Sequence, residues 1–170
     1  MRKIILFIAS SLDDYIAGKD GNVDWLFHDQ DYGYKKFYKS IDTVVMGRKT
    51  YEKALEFEKE PYKDKKCYVF SRSKNKKTIK NVKFVNNVVN FSKRLIKSKG
   101  KGIWLVGGSE IISIFLNKNL LDEIRLYVHP IILGNGIPLF NGIKQNVKLK
   151  FIKLKSYKSG LVQLHYKILK

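Results

Sequence analysis

Cysteine is almost absent from this chain. Cys67 stands alone, which excludes an internal disulfide and any cysteine-built metal cluster. Long apolar runs are missing too: none approaches the ~20 residues that a bilayer-spanning helix requires. The stretch "IILFIAS" near the start is too short for a secretory apolar region plus cleavage site, and reads as a first strand. Acidic residues are scarce beside basic ones, 15 Asp and Glu against 34 Lys and Arg, for a net charge of +19. No repeat, no linker rich in Pro, Gly or Ser, and no second composition regime interrupts the 170 residues. These absences leave one globular domain over residues 1–170, 44% hydrophobic and 29% charged, with a sizeable core and a cytoplasmic home expected.

The positive charge raises the question of an anionic partner. Lys outnumbers Arg several-fold, and Asn and Ile are also abundant. Base readout relies on the planar Arg fork, whereas Lys acts as a diffuse point charge. The charge is therefore taken first as solvated surface, then as steering for anionic ligands, and last as a nucleic-acid face. The basic stretches "KDKK", "RSKNKK" and "KSKGK" fall between periodic segments and read as loops.

Periodicity predicts a strand at 3–10, a loop through Gly21, and a helix from about Asp31 to Ser40. A strand at 42–46, a helix at 49–57, and strands at 66–71 and 82–85 follow. Next come a helix at 90–98, a strand at 102–106, a helix at 109–118, and strands near 122–132, 147–157 and 160–168. Apolar runs alternating with amphipathic helices point to an α/β protein with a parallel sheet covered on both faces. "KSG" between the last two strands is a hairpin signal, which makes the C-terminal edge antiparallel. Gly134 and Gly136 break the apolar run in "HPIILGNGIPLF", as a bulge or a close chain approach would.

Ligands of such sheets bind beyond the carboxyl ends of the strands. Two strand-to-helix junctions carry unusual chemistry there. In "VVMGRKTYE" Gly47 ends a buried strand, and Arg48, Lys49 and Thr50 open a helix. In "IWLVGGSEII" Gly107 and Gly108 pass a strand straight into a helix that begins at Ser109 and Glu110. Glycine lets a ligand lie against the backbone, and the free N–H groups of a helix start attract phosphate. Close packing of helix on strand is the alternative use for such glycines.

These residues carry a family resemblance. "MGRKTYE" and "VGGSEII" resemble the two cofactor-binding segments of dihydrofolate reductases. "SLDDYIAGKDGNVDWL" and "LDEIRLYVHPIILGNGIPLF" resemble the reductase domain of bifunctional riboflavin-synthesis enzymes. The matches run in order from Ile4 to Phe140. They imply a three-layer αβα sandwich of the dihydrofolate reductase type and an NADPH-dependent reductase. By this resemblance Arg48, Lys49 and Thr50 meet the cofactor phosphates, and Ser71 and Arg72 hold the 2′-phosphate. Gly107, Gly108, Ser109 and Glu110 then line the nicotinamide half and pyrophosphate, while Ala9 and Ile16 border the nicotinamide ring. Subunits of the resembled group often join through their C-terminal strands, so a homodimer is expected.

Reduction of a C=N bond needs a proton beside the hydride, and dihydrofolate reductases use one pocket carboxylate. Asp31 falls at the matching position, with Asp29 next to it. The competing role for Asp31 is a helix-start residue, stabilising by about 0.5–2 kcal/mol. The H-x-E and P-C-x-x-C elements of a zinc deaminase are missing. Asp14 stands where the riboflavin group carries Gly after Asp13, and Asp tolerates left-handed backbone. His28, His129 and His165 are scattered without metal spacing and read as structural. Trp25 and Trp104 read as core. The substrate implied is a pteridine or a ribitylated pyrimidine. The alternative is a non-catalytic anion- or nucleic-acid-binding module on the same fold.

Overall fold

Largely apolar runs of six or seven residues become the central strands of an eight-stranded sheet. The structure, a computed structural model, describes residues 1–73 and 80–170; part of the RSKNKK stretch lies outside them. The strands are β1 (Ile4–Ser10), β2 (Tyr15–Ala17), β3 (Ile41–Gly47), β4 (Lys66–Phe70), β5 (Val82–Val85), β6 (Gly102–Gly107), β7 (Glu123–Val128), β8 (Ile137–Pro138), β9 (Leu149–Ser156) and β10 (Val162–Ile168). The helices are α1 (Tyr34–Ser40), α2 (Arg48–Phe57), α3 (Val88–Lys97) and α4 (Ser109–Asn117).

The sheet order is β5-β4-β3-β6-β1-β7-β10-β9. Pairing is parallel from β5 to β7, and β10 runs antiparallel to both of its neighbours. Helices α1 and α2 bury Phe37 and Tyr51 on one face, against Ile5, Val44, Met46 and Trp104. Helices α3 and α4 bury Leu95, Ile112, Phe115 and Leu116 on the other, against Ile4, Leu6, Ile103 and Leu105. This is the expected three-layer αβα architecture, with its antiparallel edge.

Three details differ from the sequence reading. Helix α1 starts three residues after Asp31, because Tyr32 (φ 47°) and Gly33 (φ 86°) take left-handed backbone first. The strand expected to reach residue 132 stops at Val128. There the His129 amide bonds to the Ser10 carbonyl (2.8 Å) and the chain turns through Pro130. Strands β2 and β8 pair as a second small sheet; at three and two residues they are too short to show a period.

Candidate active site

Parallel pairing brings consecutive strand ends to one edge of the sheet. Gly47 at the end of β3 pairs with Phe70 of β4, and Met46 pairs with Gly107 of β6. Ser71, Gly47 and Gly107 therefore emerge side by side, with the end of β1 next in order. Ser71 is half-buried; its amide bonds to Val85 O (2.9 Å) and its hydroxyl accepts from the Ser73 amide (3.3 Å). Arg72 is exposed beside it.

The two glycine junctions meet there. A Cβ on Gly47 would lie 3.9 Å from both Gly107 O and Gly108 N, and one on Gly108 would lie 3.3 Å from Thr50 Oγ1. Gly107 has φ +138°, and the Gly107–Gly108 peptide is cis. Gly47 caps α2 and Gly108 caps α4, both without any side-chain hydrogen bond. Helix α3 differs: its Asn87 side chain accepts from the Asn90 amide at 3.0 Å. A helix start leaves its first N–H groups without intrahelical partners. Two such starts, uncapped and adjacent, form a donor-rich cradle that side chains on the glycines would narrow. The cradle fits the phosphates of a dinucleotide.

Charges around the cradle are already partly engaged. Arg48 pairs with Glu52 one turn along α2, at 2.6 and 2.8 Å, and Lys49 is exposed. Glu110 is exposed in the first turn of α4. Ser109 is buried, and its hydroxyl donates to the Pro138 carbonyl, with Leu139 O at 3.3 Å. The Ser109 side chain thus anchors a neighbouring segment and faces away from solvent.

That anchoring is one rung of a ladder. Ser109, Ser113 and Asn117 fall four residues apart on α4 and bond to the carbonyls of Pro138, Asn141 and Gly142. On its other side the segment is held by Asp13, whose carboxylate accepts from Leu133 (3.0 Å) and Gly134 (2.7 Å). The Ser11 hydroxyl first, then the Leu133 and Gly134 amides, keep the Asp13 carboxyl below the usual carboxylate range. Gly136 packs so tightly on β2 that a Cβ would run into Ala17 O. This is the close chain approach that its sequence suggested. Asp14 adopts φ 68°, so the turn survives without glycine. The strap at 131–144 thereby ties the loop after β1 to the helix that Gly108 caps. A Ser-x-x-x-Ser-x-x-x-Asn stripe was visible in the sequence, but its partners were not.

The other half of the site lies beyond β1 and β7. Ala9 pairs with Tyr127, and a cluster of Tyr32, Tyr127 and Leu161, with Phe7, Phe27 and Tyr157, surrounds them. Burial pushes the Tyr127 phenol well up, and the Asp31 charge adds to this. Asp31 is exposed, and its carboxylate accepts from the amides of Gly33 (3.2 Å) and Lys35 (2.9 Å), which gives it the helix-start role. Asp29 accepts from the Tyr32 hydroxyl (2.7 Å), which holds its carboxyl low. Ile16 is half-buried in β2, against the α4 side of the core.

His129 is buried. Its Nδ1 faces Tyr127 O at 3.1 Å, and its Nε2 accepts from the Phe27 amide at 3.2 Å, so the ring is neutral and pins the 23–28 loop. Trp25 meets that ring edge-on, and Trp104 is core with its indole N–H on Phe7 O (2.9 Å). Cys67 is buried, with its thiol pushed up to about 12 by desolvation, and takes no part.

Fold and strand-end geometry define a domain of the dihydrofolate reductase type. The chain belongs to the RibD C-terminal domain family, whose model matches residues 2–163. It is 40% identical to the Bacillus subtilis protein named "Uncharacterized protein YyaP", over 97% of this chain and 94% of that one. The crystal structure of a putative riboflavin biosynthesis protein from Shewanella is 31% identical, with a TM-score of 0.87 over 99% of each chain. Dihydrofolate reductase from Enterococcus faecalis, complexed with NADP(H) and RAB-propyl, shares the fold. It is 16% identical, with a TM-score of 0.75 over 99% of this chain and 97% of that one. No helix among the described residues is long and apolar enough to cross a membrane.

Proposed function

We propose that residues 1–170 form one cytoplasmic, NADPH-dependent reductase domain. Its substrate is a pteridine or a ribitylated pyrimidine, as for dihydrofolate reductase or 5-amino-6-(5-phosphoribosylamino)uracil reductase. The observation that carries this is the pair of uncapped glycine helix starts, Gly47 and Gly108, brought together at the carboxyl edge of the sheet. A nucleic-acid face would need no such cradle.

In this reading the first-turn amides of α2 and α4 hold the pyrophosphate, with Arg48, Lys49 and Thr50 at its flank. Gly107, Gly108, Ser109 and Glu110 border it through their backbone. Ser71 and Arg72 receive the 2′-phosphate, a dianion meeting hydroxyl and guanidinium donors. Ala9 and Ile16 flank the ring that donates hydride. The bound cofactor supplies the hydride itself, and the protein supplies orientation and a dry pocket. Asp31 delivers the accompanying proton to the substrate, and must exchange its helix-start hydrogen bonds to do so.

The test is oxidation of NADPH by the purified chain, followed by absorbance, with dihydrofolate and with the phosphoribosylamino-pyrimidine offered separately. Turnover with either one supports the reading. NADPH binding without turnover on any heterocycle of these two classes would overturn the substrate assignment.

A further inference from the structure

On the face that α1 covers, the sheet continues past β7 into an open, cationic surface. Arg125 of β7, beside Phe7 in register, lies 5.4 Å from the Phe37 ring of α1. From β7 outward the register carries three rows of side chains across β10 to β9. Glu123, Lys167 and Lys150 form the first row; Arg125, His165 and Lys153 form the second. Tyr127, Gln163 and Lys155 form the third, nearest the carboxyl edge. Only strands follow α4, and every residue of β9 is exposed.

The row of β9 lysines is a product of the register. Lys150 and Lys153 are three residues apart, so plain alternation would put them on opposite faces. The pairing shifts between His165 and Tyr166, and Lys150 faces Lys167 while Lys153 faces His165. Lys167 and His165 are two residues apart on β10, so all three β9 lysines share one face. This sets Lys150 directly opposite Lys167, an arrangement that like charge disfavours. Glu123 is the one carboxylate in the three rows, and it is already engaged. Lys3 lies 2.8 Å from it, His165 3.1 Å and Arg125 3.3 Å. Among the described residues, Lys150, Lys153, Lys155 and Lys167 form no ion pair.

We infer that this face binds the phosphate backbone of a nucleic-acid duplex without reading its sequence, as an activity separate from the reductase site. A polyanion relieves the repulsion that the register creates. Lys150 to Lys155 span roughly 16 Å of strand. A duplex carries one charge per ~1.7 Å of its axis and meets the whole row at once, whereas a small anion engages one or two lysines. Lysine heads contact phosphates as point charges and do not select bases. Stacking of unpaired bases needs open aromatic rings. Here Tyr127 is buried, and Lys155 Nζ sits 4.3 Å from the centre of the Tyr157 ring. Insertion into lipid needs apolar side chains among the lysines. Leu149, Phe151 and Leu154 instead pair with Ile168, Tyr166 and Leu164 on the opposite face. Strand β9 closes the sheet at the end away from β5 and β4, so the surface is remote from the glycine cradle.

Fluorescence anisotropy of the full chain with a labelled DNA duplex of about 20 base pairs and arbitrary sequence tests this. Affinity should fall roughly 100-fold between 50 and 200 mM salt, a log–log slope of about −3.6 for one phosphate per free lysine. The combined variant Lys150→Glu, Lys153→Glu and Lys155→Glu should bind at least ~30-fold more weakly at the lower salt, with the slope reduced by about two to three. Lys93→Glu, Lys97→Glu and Lys99→Glu, exposed on and just after α3, change the net charge equally and should keep the slope. Equal losses in the two combined variants would reduce the effect to net charge and overturn the assignment. A wild-type chain that fails to bind the duplex at the lower salt would also overturn it. So would one that prefers phosphatidylserine vesicles to the duplex under the same conditions. Should the triple Glu variant not fold, Gln at the same three positions takes its place, and the slope must again fall. NADPH is absent from every arm, so the reductase reading stands or falls separately.

Discussion

Gly108 and Thr50 meet across the two strand–helix junctions: the first atom of any side chain on Gly108 would lie 3.3 Å from Thr50 Oγ1. Gly108 itself has φ −83°, which any residue adopts. Glycine is therefore needed there for space, not for backbone conformation. Gly108→Val should leave the fold intact and lower NADPH affinity by at least ~10-fold, about 1.4 kcal/mol. Isothermal titration and a thermal melt separate the outcomes. Preserved affinity with collapsed thermal stability would show that the glycine serves helix–strand packing.

Asp31 combines a role that the structure shows with one that is proposed. Asn in its place still accepts hydrogen bonds from Gly33 and Lys35 but has no titrating proton. Asp31→Asn should keep the melting temperature within a few degrees and bind NADPH normally. Turnover should fall ~10²–10⁴-fold if the carboxyl delivers the proton. A variant with the wild-type rate and pH profile would leave Asp31 as a helix-start residue only, with Asp29 next to test.

His129 makes stability depend on pH. Burial lowers its pKa below the ordinary value near 6.5, opposed by its bonds to Tyr127 and Ser10, with the nearby His28 adding to the lowering. Its Nε2 accepts the Phe27 amide, so a proton there would break that bond. The unfolded chain therefore binds the proton more readily. Stability should be full above about pH 6.5 and fall as pH drops through the folded value. His165, also lowered by burial, contributes in the same direction, although Glu123 beside it opposes this. Urea midpoints at neutral and mildly acidic pH should show the loss, and His129→Gln should flatten it. An unchanged slope in the variant would assign the pH dependence elsewhere.

Much of the fold was legible because buried parallel strands are written as apolar runs, and "VVMG" and "WLVGG" carry their junctions with them. Neither stretch shows that Met46 would pair with Gly107 and set the two junctions together. Partners distant in sequence were also hidden. The Ser109 hydroxyl finds Pro138, Asp13 finds Gly134, and Tyr157 finds Tyr32, and no local period announces such pairs. Helix α1 begins later than its periodicity suggests because Tyr32 and Gly33 take left-handed backbone; Gly33 could have signalled this, but nothing local marks Tyr32. The register shift between β9 and β10, at His165 and Tyr166, was invisible for a related reason, since it exists only relative to the partner strand.

Competitive fluorescence titration of NADPH and NADH tests the central claim most directly. Arg72 and Ser71 follow β4 at the edge where Gly47 and Gly107 emerge. Charge-assisted hydrogen bonds to a 2′-phosphate, worth ~1.5–3 kcal/mol, correspond to a roughly 10- to 150-fold preference for NADPH. Arg72→Ala should narrow that gap while leaving NADH affinity in place. Equal affinity for the two dinucleotides would contradict the 2′-phosphate assignment, and binding of neither would contradict the reductase itself.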